Sequence, residues 1–303
     1  MNNSAARGKK LSGIIPPVIT PLREDGSLDT QGFERLIEYG IQSGIDGIFV
    51  MGSSGEAMCF TKEFWREVIR KAIGYTRGRI PVLCGVIDSS TAGVIENIKM
   101  AEQEGAAFVV ATPSFYIQNT CQDEILRHYE KICSETRLNV IAYNIPGMTH
   151  ANIEPETVKA LSRIDNLVAL KDSSASWEQI QRLLFLLRDT HVALFNGAEE
   201  LCAAAMAFGA DGCVPGLANF FPGLFVRLAE AAREKDLTRA FELQEKVWEI
   251  RKALFVGSSW VSAMKYIGMR MGFGEGRCAW PIEPLTGSQK QRIDEILAAF
   301  TEV

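Results

Sequence analysis

Several things are scarce in this 303-residue chain, and each scarcity removes a class of function. Basic charge is not in surplus: 32 Lys and Arg stand against 37 Asp and Glu, a net charge of −5. Nucleic acid, which needs a basic face to displace the counterions of its phosphates, is therefore not expected as a partner. Histidine is limited to His128, His150 and His191. They have no metal-ligand spacing, and no metal site is expected. No run approaches the ~20 uninterrupted apolar residues of a membrane span. The first ten residues, Met1 to Lys10, have no apolar stretch of secretion-signal type. The expectation is a cytoplasmic protein with no membrane partner. The seven cysteines (Cys59, Cys84, Cys121, Cys133, Cys202, Cys213, Cys278) form no Cys-x-x-Cys pair. Most sit in apolar segments, where Cys acts as a small hydrophobe, so they are read as reduced core thiols.

With 47% hydrophobic and 23% charged residues, the chain can bury one large core. Short apolar runs rich in β-formers alternate with amphipathic stretches from residue 12 to about 215, the pattern of parallel strands joined by crossover helices. Eight strands are expected, at Gly13–Ile19, Gly44–Val50, Pro81–Val86, Phe108–Thr112, Asn139–Asn144, Leu167–Lys171, Val192–Asn196 and Gly212–Pro215. Helices are expected between them, several closing on a left-handed glycine cap at Gly74, Gly105 and Gly209. The Gly-Ala-Asp-Gly of Gly209–Gly212 repeats the Gly-Ile-Asp-Gly of Gly44–Gly47. An open doubly wound sheet alternates in the same way, but eight units in succession fit a closed α/β (β/α)8 TIM barrel better. After Phe220 the strand signals stop. Leu224–Phe255, Ser259–Met271 and Ser288–Phe300 read as helical, which divides the chain into a flexible tail over 1–12, a barrel over 13–234 and a C-terminal three-helix domain over 235–303.

In this architecture catalytic groups gather at the C-terminal strand ends. Strand six ends in Leu170-Lys171-Asp172. A lysine there is ordinarily an ion-pair partner. If it points into the barrel instead, desolvation lowers its pKa toward values at which the free amine attacks a carbonyl. Strand five ends in Tyr143-Asn144-Ile145-Pro146-Gly147, one strand away at the same level. Tyr143 reads either as a core tyrosine or as the acid/base that imine chemistry requires. Strand two runs into Gly52-Ser53-Ser54-Gly55-Glu56. That turn is either a plain Gly-Ser connection or a set of hydroxyls and backbone N–H groups for a small carboxylate. It is not a nucleophile elbow, because Glu56 stands where that motif needs its last glycine. Three such groups converging on one cavity make the functional reading of each the better one.

These residues resemble the dihydrodipicolinate synthase and N-acetylneuraminate lyase family of class I, Schiff-base-forming aldolases. The likeness spans nearly the whole chain, through Gly13-Ile14-Ile15-Pro16-Pro17-Val18-Ile19-Thr20-Pro21, Gly52–Glu56, Tyr143–Gly147, Leu170–Asp172 and Gly209–Gly212. It implies that Lys171 forms an imine with the keto carbon of pyruvate or a related 2-oxo acid, that Tyr143 shuttles protons, and that Ser53 and Ser54, with Gly52, hold the substrate carboxylate. It implies no metal or organic cofactor and a homotetramer built as a dimer of dimers. In that family an aromatic from a neighbouring subunit completes the site from the loop after strand four. Either Phe115 or Tyr116 of Thr112-Pro113-Ser114-Phe115-Tyr116-Ile117 takes its place, with Tyr116 preferred and the loop about two residues longer than usual.

Substrate choice is expected to follow from the later loops. Synthase members carry an arginine two residues beyond the position of Pro146, where this chain has Met148. A thioether cannot make the bidentate pair that arginine makes with a carboxylate. Cleavage of a longer 2-oxo acid, such as a 2-oxo-3-deoxy sugar acid or a sialic-acid-like compound, is therefore preferred over condensation with aspartate semialdehyde. In Asn196-Gly197-Ala198-Glu199-Glu200 the acidic residues resemble positions that bind sugar hydroxyls, with Glu200 and Gly197 as substrate-binding candidates, although Glu199 equally suits a helix N-terminus. Val214 and Ser173 are further candidates for lining the site, and His150 stands near the mouth. The alternatives are synthase-type condensation, dehydration of a deoxy-oxo sugar acid, and a silent 2-oxo acid sensor.

Overall fold

In the computed structural model, which describes residues 10–117 and 121–300, the period-two alternation of the apolar runs builds two cores. The strands are β1 (Gly13–Ile14), β2 (Ile48–Val50), β3 (Val82–Gly85), β4 (Phe108–Ala111), β5 (Asn139–Asn144), β6 (Leu167–Asp172), β7 (Ala193–Asn196) and β8 (Gly212–Cys213). All pairings between them are parallel, in the order β1-β8-β7-β6-β5-β4-β3-β2. The ring closes just beyond β1, where Pro17 bridges Phe49 and the Phe49 N–H donates to the Pro16 carbonyl at 2.9 Å. The molecule is a (β/α)8 barrel. Inward residues such as Ile15, Phe49, Leu83, Val110, Ile141, Ala169, Ala193 and Phe195 fill its interior. Their alternating neighbours, among them Ile14, Ile48, Cys84, Val109 and Leu170, face the helices.

The helices are α1 (Thr30–Gln42), α2 (Lys62–Thr76), α3 (Thr91–Gln103), α4 (Gln122–Ser134), α5 (Pro146–Thr149), α6 (Pro155–Leu161), α7 (Trp177–Leu187), α8 (Cys202–Ala207), α9 (Pro222–Arg233), α10 (Leu237–Arg251), α11 (Trp260–Arg270) and α12 (Gly287–Ala299). Local chemistry sets their ends. Asp29, Thr61, Ser90 and Ser176 accept from N–H groups in the first turns of α1, α2, α3 and α7, satisfying donors that have no partner within the helix. The two Gly-x-Asp-Gly repeats do the same work. Gly44 and Gly209 take φ of +86° and +105°, and the Asp46 and Asp211 carboxylates accept from the N–H groups of Ile14 and Leu194, each at 2.8 Å.

Three expectations change. Gly74 lies inside α2 and is not its cap; Arg77 (φ +51°) and Gly78 (φ +71°) take the left-handed positions, since a glycine costs a helix only about 1 kcal/mol. The first strand, expected over Gly13–Ile19, shortens to two residues because Pro16 and Pro17 have no N–H for the ladder. Residues 1–9 of the expected tail lie outside the described residues, whereas Leu11 packs against the barrel interior. The thiols are all free, with Cys84, Cys133, Cys202 and Cys213 buried; Cys59 and Cys121 are exposed, against the reading of core positions. Among the described residues no helix is long and apolar enough to cross a membrane.

Beyond β8 and its helix α9, the chain turns at Lys235 (φ +65°). Asp236 then caps α10 through the Arg239 N–H at 3.0 Å. Helices α10, α11 and α12 follow. A buried ion pair ties α11 to the barrel: Lys265 lies 2.6 Å from Glu56 and donates to the Thr20 carbonyl.

Candidate active site

Strands β5 and β6 put Tyr143 directly opposite Lys171. Both side chains follow the inward phase of their strands, Tyr143 after Ile141 and Lys171 after Ala169. Lys171 is buried, 5% exposed, with Nζ 3.9 Å from the ring centroid of Tyr143 and 4.9 Å from that of Phe49. Burial pushes its pKa below the ordinary lysine value, and the neighbouring Tyr143 only partly opposes this. A cation over two aromatic faces keeps some electrostatic compensation, while desolvation raises the fraction of free amine.

The strand ends are pinned from outside the ring. The buried Asp172 carboxylate accepts from Asn144 Nδ2 at 2.8 Å, Gln179 Nε2 at 2.6 Å, and the Ser174 N–H and hydroxyl at 3.0 and 2.5 Å. Asn152 joins Asn144 to Gln179. Because Asn144 and Asp172 follow Tyr143 and Lys171 directly, this network fixes the level at which the phenol and the amine face each other. Gly197 packs where a side chain has no room: a Cβ there would lie 2.1 Å from Ser173 Oγ and 3.1 Å from Lys171 Cε.

The turn after β2 brings Ser53 to the same place, its hydroxyl 3.4 Å from that of Tyr143. Met51 and Glu56, at either side of this turn, hold left-handed φ of +53° and +56°. Such conformations are strained for non-glycine residues and persist only when the surroundings impose them. The constraint at Glu56 is visible, because its carboxylate is held by Lys265 and by the Ala279 N–H at 2.7 Å. Ser54 is buried beside Ser53.

Gly52, Ser53 and Tyr143 line a cavity of about 400 Å³, together with Thr112, Phe115, Ile145 and Met148 from the barrel loops and Ser259, Trp260, Val261 and Ile282 from the C-terminal region. Tyr116 does not reach it from its own chain; it is 96% exposed at φ +76°. The expected lengthening of this loop reaches into residues 118–120, outside the described residues. Gly197 packs between Ser173 and the end of the Lys171 side chain, and Val214 belongs to the barrel interior; none of the three lines the cavity, and Lys171 itself adjoins it through the Tyr143 ring. Glu200 pairs with Arg251 at 3.1 Å. Glu199 accepts from the Leu217 N–H at 2.7 Å and not from its own helix, and burial pushes its pKa up to about 7. His150 caps α5 at φ +54° and is exposed. Among the described residues no cluster of three or more His, Cys, Asp or Glu is placed to hold a metal ion.

The model of the dihydrodipicolinate synthetase family matches residues 10–300. The chain belongs to that family. It is a class I lyase of the lysine Schiff-base type. Among its relatives are the 4-hydroxy-tetrahydrodipicolinate synthase of Kosmotoga olearia, 33% identical over 89% of this chain and 92% of the relative, and that of Polynucleobacter asymbioticus, 31% identical over 98% and 97%. Dihydrodipicolinate synthase from Bacteroides thetaiotaomicron superposes with a TM-score of 0.90 at 32% identity, covering 95% of this chain and 98% of that one. A prophage protein of the same family from E. coli K12, solved in complex with pyruvate, superposes with a TM-score of 0.90 at 27% identity and the same coverage.

Against this family background, the residues that sequence reasoning missed are those of the outer wall. Ser259, Trp260, Val261 and Ile282 come from beyond the barrel and carry no local signal of a site. Thr112 was visible as the end of the expected fourth strand, one residue beyond β4, but not its state: its hydroxyl is buried without a partner. Its carbonyl accepts from His128 Nε2 at 3.0 Å, leaving Nδ1 to accept from the Thr91 hydroxyl at 2.8 Å. Burial holds the His128 pKa down, in keeping with a neutral ring.

Proposed function

We propose that this family member cleaves, or in reverse forms, a carbon–carbon bond of a 2-oxo acid through an imine on Lys171. The observation that carries this reading is the buried Lys171 amine against the faces of Tyr143 and Phe49, with the Ser53–Tyr143 hydroxyl pair beside it. The free amine attacks the keto carbon, and the resulting carbinolamine loses its oxygen as water with the Tyr143 hydroxyl supplying a proton. Tyr143 then takes the proton of the C4 hydroxyl. The C3–C4 bond breaks, leaving its electron pair in the enamine and releasing an aldehyde. Protonation at C3 and hydrolysis return pyruvate and the free lysine. The iminium is itself the electron sink, so the reaction requires neither a metal nor an organic cofactor. Ser53, Ser54 and the backbone of the turn from Gly52 hold the carboxylate.

Lyase activity is favoured over synthase condensation by the composition of the cavity. Among its described lining residues there is no Arg or Lys, and Met148 occupies the place expected to grip a second carboxylate. The synthase reading is favoured by the names of relatives at 31–33% identity. Comparing rates with pyruvate plus aspartate semialdehyde against cleavage of 4-hydroxy-2-oxo acids, the class to which 2-oxo-3-deoxy sugar acids belong, separates the two. The mechanism is tested by incubation with pyruvate and sodium borohydride, then peptide mass mapping. We expect a reduced pyruvyl adduct on Lys171, and an equal yield from a Lys171→Ala protein would refute the assignment.

A further inference from the structure

Among the described residues, most polar groups lining the cavity have a partner within this chain. The Ser53 hydroxyl is next to that of Tyr143. Thr149 Oγ1 donates to the carbonyls of Ile145 and Ala151, at 3.2 and 3.1 Å. Ser259 Oγ accepts from the Val261 N–H at 3.2 Å and so caps α11. Glu56 is held by Lys265 and the Ala279 N–H. Partial desolvation and the nearby Glu56 push the Cys59 thiol up, which leaves it neutral. Among the described lining residues Thr112 alone carries a buried hydroxyl without a partner, just past the end of β4. Outside this cavity, Glu199 and Glu200 are occupied by Leu217 and Arg251. The rest of the wall is apolar and includes Met58, Met148, Trp260, Val261 and Ile282.

A polyol fragment entering this cavity loses its water and meets few free partners. Each buried hydroxyl left unpaired weakens binding by roughly tenfold or more. An apolar fragment loses nothing comparable and gains contact with an indole and two thioethers, side chains that favour aromatic and flexible apolar ligands. We infer that the aldehyde released or accepted by this enzyme is uncharged and mainly apolar, alkyl or aryl, and that Trp260 of α11 is its specificity determinant. This rests on the imine chemistry proposed for Lys171 and departs from the sugar hydroxyls that Glu199 and Glu200 suggest in the sequence. The ion pair between Glu56 and Lys265 supplies the rigidity: it fixes α11, and with it Trp260, against the turn that holds Ser53.

In the condensation direction the reaction balances without a further reactant. The enamine carbon of bound pyruvate attacks the aldehyde carbon, the aldehyde oxygen takes a proton, and the water released on imine formation is returned on hydrolysis. The product is a 4-hydroxy-2-oxo acid. The test measures kcat/KM for condensation of pyruvate with benzaldehyde, butanal, D-glyceraldehyde and aspartate semialdehyde, for the wild-type protein and for Trp260→Ala. We expect benzaldehyde or butanal to exceed D-glyceraldehyde by at least tenfold, and Trp260→Ala to lower that ratio by at least tenfold. A preference for D-glyceraldehyde or aspartate semialdehyde, a ratio within twofold of wild type in Trp260→Ala, or a Lys171-trapped enzyme that turns over none of the four overturns the inference. Failure to trap pyruvate on Lys171 overturns the imine reading instead, so the two failures are distinct.

Discussion

Removing an ammonium from water is unfavourable, so burial between the rings of Tyr143 and Phe49 holds Lys171 below its ordinary pKa and at the same time weakens the fold. In the pH interval between its folded and unfolded values the unfolded chain binds the proton that the folded chain does not, and stability rises with pH. Below the folded value the whole penalty is present. Lys171→Met removes the group that pays it. We therefore expect this substitution to abolish pyruvate trapping and to raise the thermal midpoint at pH 7, with the gain shrinking as the pH nears roughly 10.4. Thermal unfolding across that range checks the sign. Gly197→Ala acts on the same side chain by geometry, because the added Cβ meets Ser173 Oγ and Lys171 Cε. Displacing the amine slows capture of the keto acid, by up to on the order of a hundredfold as the shift approaches about 1 Å, as measured by the rate of borohydride-dependent adduct formation. At this scale the sequence was informative wherever chemistry and strand position coincide. Lys171 and Tyr143 stand next to last on consecutive strands, so their meeting follows from the period-two phase. The need for glycine at 197 was not legible, since it arises from crowding by residues of the preceding strand.

Among the elements, the contact between the turn after β2 and α11 decides whether the cavity keeps its shape. Glu56 and Lys265 are both buried and bound to each other at 2.6 Å, and burial drives the Lys265 pKa down against the pull of Glu56. Removing one partner leaves an uncompensated charge, with a loss of roughly 3–5 kcal/mol, whereas removing both is much less harmful. We expect Glu56→Gln and Lys265→Met each to lower stability to that extent, and the double variant to recover a large part of the loss. Denaturant midpoints for the four proteins give the coupling. Alternating strands and helices were legible from hydrophobic period because each repeats the same local problem of covering one strand with one helix. This ion pair was not: Thr20, which accepts from Lys265, lies 245 positions away along the chain, and no local pattern marks a lysine destined for a barrel carbonyl. The end of α2 was misplaced for a related reason. A glycine at position 74 signals termination, but the helix runs on to Thr76, where the Thr76 hydroxyl donates to the Ile73 carbonyl.

Considered as a whole molecule, a chain with a closed barrel and three added helices still leaves apolar side chains in water beside its cavity. Tyr116 is 96% and Ile117 80% exposed, next to Phe115, which lines the cavity. Tyr116 adopts a left-handed φ of +76°, a conformation uncommon for a bulky residue and costing on the order of 1–3 kcal/mol unless its surroundings repay it. A solvent-facing tip repays nothing, whereas a second copy of the chain that buries the phenol and the isoleucine does. Burial of this tip in a contact between copies, such as the dimer of dimers that the family resemblance implies, would account for both the strain and the exposure and would place an aromatic of one subunit at the mouth of the next. Sedimentation velocity at micromolar concentration should then give a mass near four times 33.5 kDa. Ile117→Asp places a charge in the contact and should shift the distribution toward smaller species, with activity falling in proportion if the neighbour completes the site. A chain that sediments at 33.5 kDa with full activity would instead leave Tyr116 without a catalytic part, and the cavity of one subunit would be sufficient by itself.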